Sequence, residues 1–228
     1  MKADRGHMGR RIGVSILFWL FSAGSAAAQV DVNTCSLQSD VVSLTFCEVT
    51  PEVLWRGAQP DSDGAAWLLK NQVRTIVNLE LVHDDLPVFE QLEIDDDLNQ
   101  RIGYFRIREW EPLPLLAPFI VDAHVAHFLA VVATQPPPIF VHCRAGRNRT
   151  GVMVAAYRIL IEGLPVEDAI AELKRFHGAW SNVGAHYLRG LNLQRRTAIL
   201  REVAEWKVKL EPTAYITCVN GGCTVTPD

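Results

Sequence analysis

Two hydrophobic periods alternate along the chain, and each predicts a different element. Val53-Leu54-Trp55-Arg56 is a short apolar run that stops at Gly57 and Pro60, which predicts a strand. Asp61 or Ser62 then caps a helix running to about Asn71. Val73 to Leu79 is β-branched and apolar throughout, the pattern of a buried strand. Residues 83–101 are acidic, with Asp95-Asp96-Asp97, and predict a solvated helix and loop. Gly103 to Ile107 alternates as a strand, and Pro112 and Pro114 impose a loop. Leu115 to Thr134 carries apolar residues at helical spacing until Pro136-Pro137-Pro138 stops it. Ile139-Phe140-Val141 predicts a short buried strand, and Thr150 opens an apolar helix through Ile161. Two further helices are expected near 166–176 and 186–208, followed by an irregular C-terminal tail. Strands alternating with helices predict an α/β fold with a central, mostly parallel sheet and helices on both faces.

The first residues follow neither period. Lys2, Arg5, Arg10 and Arg11 precede an apolar run, Ile12 to Gly24, and Ala26-Ala27-Ala28 offers a small-residue cleavage site. Residues 1–28 therefore read as a signal peptide. The competing reading is a retained anchor, since Ile12 to Val30 is uncharged and approaches the roughly 20 residues that span a bilayer. The small residues favour cleavage, so the mature protein is expected to be secreted or periplasmic, without a stable membrane anchor. The full chain carries a net charge of −4. Cleavage removes four basic groups and one acid and leaves −7. An acidic protein of this kind is a poor partner for nucleic acid or anionic lipid.

Export changes how the five cysteines are read. Cys35, Cys47, Cys218 and Cys223 lie near the mature termini, and Cys143 stands alone in the middle. In an oxidising compartment this suggests two bridges and one free thiol. Of the three possible connectivities, the simplest is Cys35–Cys47 with Cys218–Cys223. Metal binding ranks lower, because no C-x2-C pair with His partners occurs.

The chemistry is concentrated in His142-Cys143-Arg144-Ala145-Gly146-Arg147-Asn148-Arg149-Thr150-Gly151, which follows a buried strand and opens a helix. Amides at a helix N-terminus are unpaired and favour an anion. A loop folded around that point becomes a cradle of N–H groups. The backbone from Arg144 through Ala145, Gly146, Arg147 and Asn148, with the side chain of Arg149, forms the expected phosphate site. A cysteine flanked by such donors and by arginines has a stabilised thiolate. Arg149 can grip two phosphoryl oxygens through its planar fork. The G-x-x-x-x-G-K-[ST] nucleotide loop does not match.

This segment resembles the signature loop of the cysteine-based protein tyrosine and dual-specificity phosphatases, His-Cys-x5-Arg-Ser/Thr. Leu54-Trp55-Arg56-Gly57-Ala58-Gln59-Pro60 is similar to the Tyr-Arg-Ser-Gly-Gln-Pro first strand of the phosphoinositide-phosphatase and atypical dual-specificity branches. The resemblance covers roughly residues 50–205. It implies a phosphatase-like three-layer sandwich and a two-step reaction through a phosphocysteine, with no metal or other cofactor. Cys143 would be the nucleophile, Arg149 the clamp, His142 a support, Thr150 a donor to the sulfur, and Arg56 a more distant support. A general acid is also required. The family usually places an Asp there, about 30 residues before the cysteine. Here Trp110-Glu111-Pro112 stands in its place, with Glu111 32 positions before Cys143. Glu109 and Asp122 are the rivals.

The expected organisation is a signal peptide at 1–28, a cysteine-bearing extension at 29–49, a phosphatase domain at 50–209 and a cysteine-bearing tail at 210–228. The expected function is an exported phosphomonoester hydrolase acting on phosphotyrosine, phosphoserine or phosphothreonine proteins. Two extra cations at the loop, Arg144 and Arg147, also suit an inositol polyphosphate or phosphoinositide. A phosphate-binding pseudophosphatase and a thiol redox protein are the remaining readings. The missing C-x-x-C pair disfavours the last.

Overall fold

A computed structural model of the chain describes residues 46–94, 98–219 and 221–227. The expected signal segment, Cys35 and Asp95-Asp96-Asp97 lie outside the described residues. The strands are β1 (Cys47–Thr50), β2 (Leu54–Ala58), β3 (Thr75–Asn78), β4 (Asn99–Arg106), β5 (Ile139–Cys143), β6 (Ala214–Val219) and β7 (Gly222–Pro227). The helices are α1 (Ser62–Lys70), α2 (Leu86–Glu90), α3 (Leu113–Leu116), α4 (Pro118–Thr134), α5 (Arg149–Leu160), α6 (Val166–Arg175), α7 (Ser181–Arg189) and α8 (Leu193–Lys209).

The sheet runs β1-β2-β5-β3-β4-β6-β7. The four inner strands β2, β5, β3 and β4 are mutually parallel, as the alternation of strands and helices predicts. The edges are antiparallel: β1 pairs with β2, β6 with β4, and β7 with β6. Along the inner strands the side chains divide by the strand period of two. Leu54, Val77, Phe105, Ile139 and Val141 enter the core shared with α4 to α8. Trp55, Ile76, Tyr104 and Phe140 enter the core covered by α1 and α2. Both faces of the inner strands are therefore buried, which accounts for their unbroken apolar runs. Parallelism also brings the loops after β2, β3, β4 and β5 to one end of the sheet.

Four expectations need correction. Residues 83–101 are not a solvated helix and loop throughout, because Asp85 and Phe89 are buried and β4 already begins at Asn99. The C-terminal tail is not irregular, because β6 and β7 form a hairpin that extends the sheet. Ala214, Ile216 and Cys218 point inward at alternate positions, and Cys218 bridges its hairpin partner Cys223 as expected. Cys47 is also disulfide-bonded, and its expected partner Cys35 lies outside the described residues. The long helix expected from Leu115 is two helices. Ala117 leaves the helical region (φ −147°, ψ 64°) because the ring of Pro118 crowds a helical residue before it, and Pro118 then starts α4. The helix expected over 186–208 breaks at Gly190, after which the Asn192 side chain caps α8 by accepting from Arg195 N at 3.0 Å. Among the described residues no helix is long and apolar enough to cross a membrane.

The contact between α4 and α8 contains a titrating group. The His127 ring stacks on Trp206, with centroids 4.2 Å apart and planes within 5°. Burial lowers its pKa to about 4, with His124 adding to the effect. The folded state thus holds His127 neutral where the unfolded chain protonates it. Its contribution is complete above pH about 6.5 and is lost as pH falls toward 4, a swing of up to about 3 kcal/mol. Urea midpoints should therefore drop between pH 7 and pH 4.5. His127→Phe, which keeps the stack without a titrating nitrogen, should drop less. Parallel losses in both proteins would place the acid sensitivity elsewhere.

Candidate active site

β5 lies between β2 and β3 and ends in His142 and Cys143. The chain then bends through residues 144–148 and enters α5 at Arg149. Gly146 makes the bend possible. Its φ is +65°, and a Cβ there would lie 2.4 Å from the carbonyl oxygen of Gly57. The loop is thereby pressed onto the end of β2. Two hydrogen bonds secure the contact: Arg56 Nη2 donates to Gly146 O at 2.7 Å, and Gln59 N donates to Arg144 O at 3.4 Å. Arg56 is buried with its guanidinium 3.6 Å from the Phe176 ring centroid. Burial lowers its pKa to about 10, against the opposing pull of Glu172 and Cys143. On the far side, Asn148 Oδ1 accepts from Trp180 N at 3.1 Å and ties the start of α7 to the loop.

Cys143 is a buried, free thiol. His142 beside it faces backward into the fold, with Nε2 2.8 Å from Asp85 Oδ2, and both side chains are fully buried. Asn78 Nδ2 donates to the same carboxylate oxygen at 2.9 Å. Burial alone would raise the Asp85 carboxyl, but His142, His83 and the Tyr104 hydroxyl outweigh it and hold the group below its usual range. Thr150 is buried in the first turn of α5, and its hydroxyl has no hydrogen-bond partner among the described residues. Arg144 and Arg147 are exposed at the mouth of the loop, while Ala145 is exposed between Arg144 and the buried Gly146.

Arg149 is buried and turned toward the loop ends of β3 and β4. Its Nη2 lies 2.8 Å from Glu80 Oε1, and its Nε forms an ion pair with Glu111 Oε1 at 2.9 Å. Nη1 reaches Leu79 O at 3.4 Å. The structure thus brings Glu111 to the clamp. The two rivals are engaged by other partners, although Glu109 borders the same pocket as Glu111. Glu109 is buried, with Oε2 2.5 Å from His124 Nδ1 and Oε1 accepting from Trp110 N. Asp122 is held by Arg195 through two hydrogen bonds and by the Tyr187 hydroxyl. A small pocket opens above Glu111 and Arg149, walled by Trp110, Pro114, Val152 and Trp180. Among the described residues no three His, Cys, Asp or Glu side chains converge as a metal-ligand set.

Sequence reasoning missed Glu80, Asp85 and Trp180. Glu80 follows directly on the buried strand run, a position whose side chain emerges at the loop end of a parallel sheet, and that signal was available. Asp85 and Trp180 reach the site through sheet register and loop packing, which no local pattern encodes.

A protein-family model described as "DSP-PTPase phosphatase fused to NAD+ Kinase" matches residues 45–181. Dual specificity protein phosphatase TpbA from one strain of Pseudomonas aeruginosa is 30% identical over 135 residues, 58% of this chain and 55% of that protein. TpbA from a second strain is 28% identical over 158 residues, 66% of this chain and 64% of its own length. The match thus spans less than two thirds of these relatives. The chloroplastic NAD kinase 2 of Arabidopsis thaliana is 30% identical over 141 residues, 58% of this chain but 13% of that longer protein. The crystal structure of P. aeruginosa TpbA superposes with a TM-score of 0.56 at 23% identity, covering 73% of this chain and 98% of that one, which shows a shared fold. With the family model spanning more than half of the chain and the signature loop standing between β5 and α5, the chain belongs to the DSP-PTPase phosphatases.

Proposed function

We propose that the protein is an exported phosphomonoester hydrolase that works through a phosphocysteine and acts on phosphorylated protein side chains. The carrying observation is the convergence of Cys143, the loop amides, Arg149 and Glu111 at one end of the sheet. These groups have complementary tasks. The Cys143 thiolate attacks phosphorus; an S–P bond forms as the P–O bond breaks. Glu111 donates a proton to the departing oxygen. Arg149 and the amides hold the equatorial oxygens, where negative charge spreads in the transition state. In the second step water attacks phosphorus, Glu111 takes a proton from it, and the S–P bond breaks. The Thr150 hydroxyl donates to the returning thiolate, a role supported by its having no hydrogen-bond partner among the described residues.

The pocket walls favour an aryl phosphate. Trp110, Pro114, Val152 and Trp180 offer apolar faces above Arg149, the setting in which a tyrosyl ring packs. TpbA itself has been crystallised with phosphotyrosine. The Cys218–Cys223 bridge and the disulfide at Cys47 suit an oxidising compartment, which supports export. A polyphosphorylated small molecule is the second reading, favoured by the exposure of Arg144 and Arg147 at the mouth.

Cys143→Ser should abolish turnover and keep binding of phosphate or vanadate, because the hydroxyl is a far weaker nucleophile while the cradle persists. Activity in this variant would exclude the phosphocysteine route, and absence of turnover in the wild type would favour a pseudophosphatase.

Glu111→Gln should slow turnover by roughly 100-fold on a substrate with a poor leaving group and much less on an activated aryl phosphate. Rates on a phosphopeptide and on a nitrophenyl phosphate make the comparison. An equal loss on both would move the acid to another residue.

Replacing Arg144 and Arg147 together by Ala should lower kcat/KM on an inositol polyphosphate by about tenfold more than on a phosphotyrosine peptide, if neighbouring phosphates are what they meet. Equal losses would leave the two arginines as loop elements and the phosphoprotein reading alone.

A further inference from the structure

Glu80 has no role in the mechanism above, yet the sheet delivers it to the centre of the site. β3 and β5 are parallel neighbours with Asn78 opposite His142. Leu79 N donates to His142 O at 2.9 Å and continues the pairing beyond the strand. The next residue, Glu80, therefore falls beside Arg144. Its backbone is fixed as well, because Glu80 N donates to Asn78 Oδ1 at 2.6 Å and Glu80 O accepts from Arg106 Nη2 at 3.3 Å. The side chain is about 10% exposed.

Two donors of different kinds meet this carboxylate. Oε1 accepts from the amide of Arg144, the first residue of the cradle after Cys143, and stands 2.8 Å from Arg149 Nη2. One oxygen is thus held by a loop amide and by the clamp, which are the two kinds of donor a phosphoryl oxygen requires. Glu111 meanwhile holds Nε. Nε and Nη2 point off the same edge of the guanidinium, the edge that chelates an oxyanion in bidentate fashion. In the resting protein two carboxylates share that edge.

We propose that Glu80 is a built-in occupant of the phosphate position, whose carboxylate competes with substrate and product phosphate for Arg149 and the Arg144 amide and so sets the affinity of the site. This rests on reading the cradle as a phosphate site. A donor hydrogen serves one strong acceptor at a time, and a phosphate dianion beside a retained carboxylate in a site this enclosed meets like charge at short range. Substrate must therefore displace Glu80, as it displaces Glu111, and part of its binding energy goes to that exchange. Glu111 returns as the acid. Glu80 returns when phosphate leaves, which assists product release.

The test measures oxyanion binding without turnover. In the Cys143→Ser background, titration calorimetry with orthophosphate and with tungstate compares Glu80 with Glu80→Gln and Glu80→Ala. The expected result is binding about tenfold tighter in Glu80→Gln and at least as tight in Glu80→Ala. In the Cys143 enzyme, both variants should show a lower KM on a small aryl phosphate and stronger inhibition by product phosphate. If Glu80 instead braces Arg149 for catalysis, both variants bind oxyanion equally or more weakly, and the proposal fails. Thermal melts identify a variant that does not fold, and the remaining variant then decides. If no protein in the set binds either oxyanion, the phosphate-site reading itself falls and takes the proposal with it, an outcome distinct from equal or weaker binding.

Discussion

A Cβ at Gly146 would stand 2.4 Å from the carbonyl oxygen of Gly57, and the architecture around Cys143 depends on the backbone approach that glycine permits there. β5 is already bound on both sides, by β2 and β3, so its end is rigid. The left-handed turn at Gly146 folds the following residues back onto the end of β2 instead of letting them run into solvent. Arg56 then has a fixed carbonyl to donate to, and α5 has a fixed starting point. The placement of the loop follows from two strand pairings and one glycine, and the Arg56 and Asn148 side chains then secure it.

The charges follow the same logic of fixed partners. Removing an ion from water is costly unless something replaces the water, and each buried ion of the site has a replacement. Arg56 sets its cation on the Phe176 ring and its Nη2 on Gly146 O. Asp85 collects Asn78, Tyr104, His83 and His142. Arg149 collects Glu80 and Glu111. The difference lies in permanence. The partners of Arg56 and Asp85 come from the sheet, from buried side chains or from neighbouring loops that no ligand displaces. The partners of Arg149 are carboxylates, which under the proposed function an incoming phosphate replaces in kind.

How far this was legible in the sequence depended on whether the signal was local. The cradle was legible because a buried strand, a Cys, a Gly, an Arg and a helix start occupy twelve consecutive residues, Ile139 to Thr150. The α/β class was legible because both faces of the inner strands are covered, leaving uninterrupted apolar runs. The β6–β7 hairpin was overlooked although Asn220-Gly221 is a strong turn signal between alternating segments. The break at Ala117 was likewise encoded in Pro118, within a stretch whose apolar spacing is continuous. Glu80 lay one residue past a legible strand, but Asp85 is different. It meets His142 because β3 pairs with β5, and strand order is not written in any window of sequence.

The loop carrying Glu111 has an anchor of its own, and this bears on the proposed role of Glu111 as an acid one methylene longer than Asp. Glu109 is locked between His124 on α4 and the amide of Trp110, and its own amide donates to Leu79 O at 3.3 Å. Leu79 O also accepts from Arg149. The root of the loop carrying Glu111 and the Arg149 side chain therefore share one carbonyl at the end of β3. From that fixed root only Trp110 and Glu111 extend before Pro112 and Pro114 stiffen the chain again. In the proposed mechanism, the long side chain on this short, anchored loop exchanges Arg149 for a leaving group by rotating about its own bonds. The extra methylene of Glu111 thus suits a loop that is held at both ends.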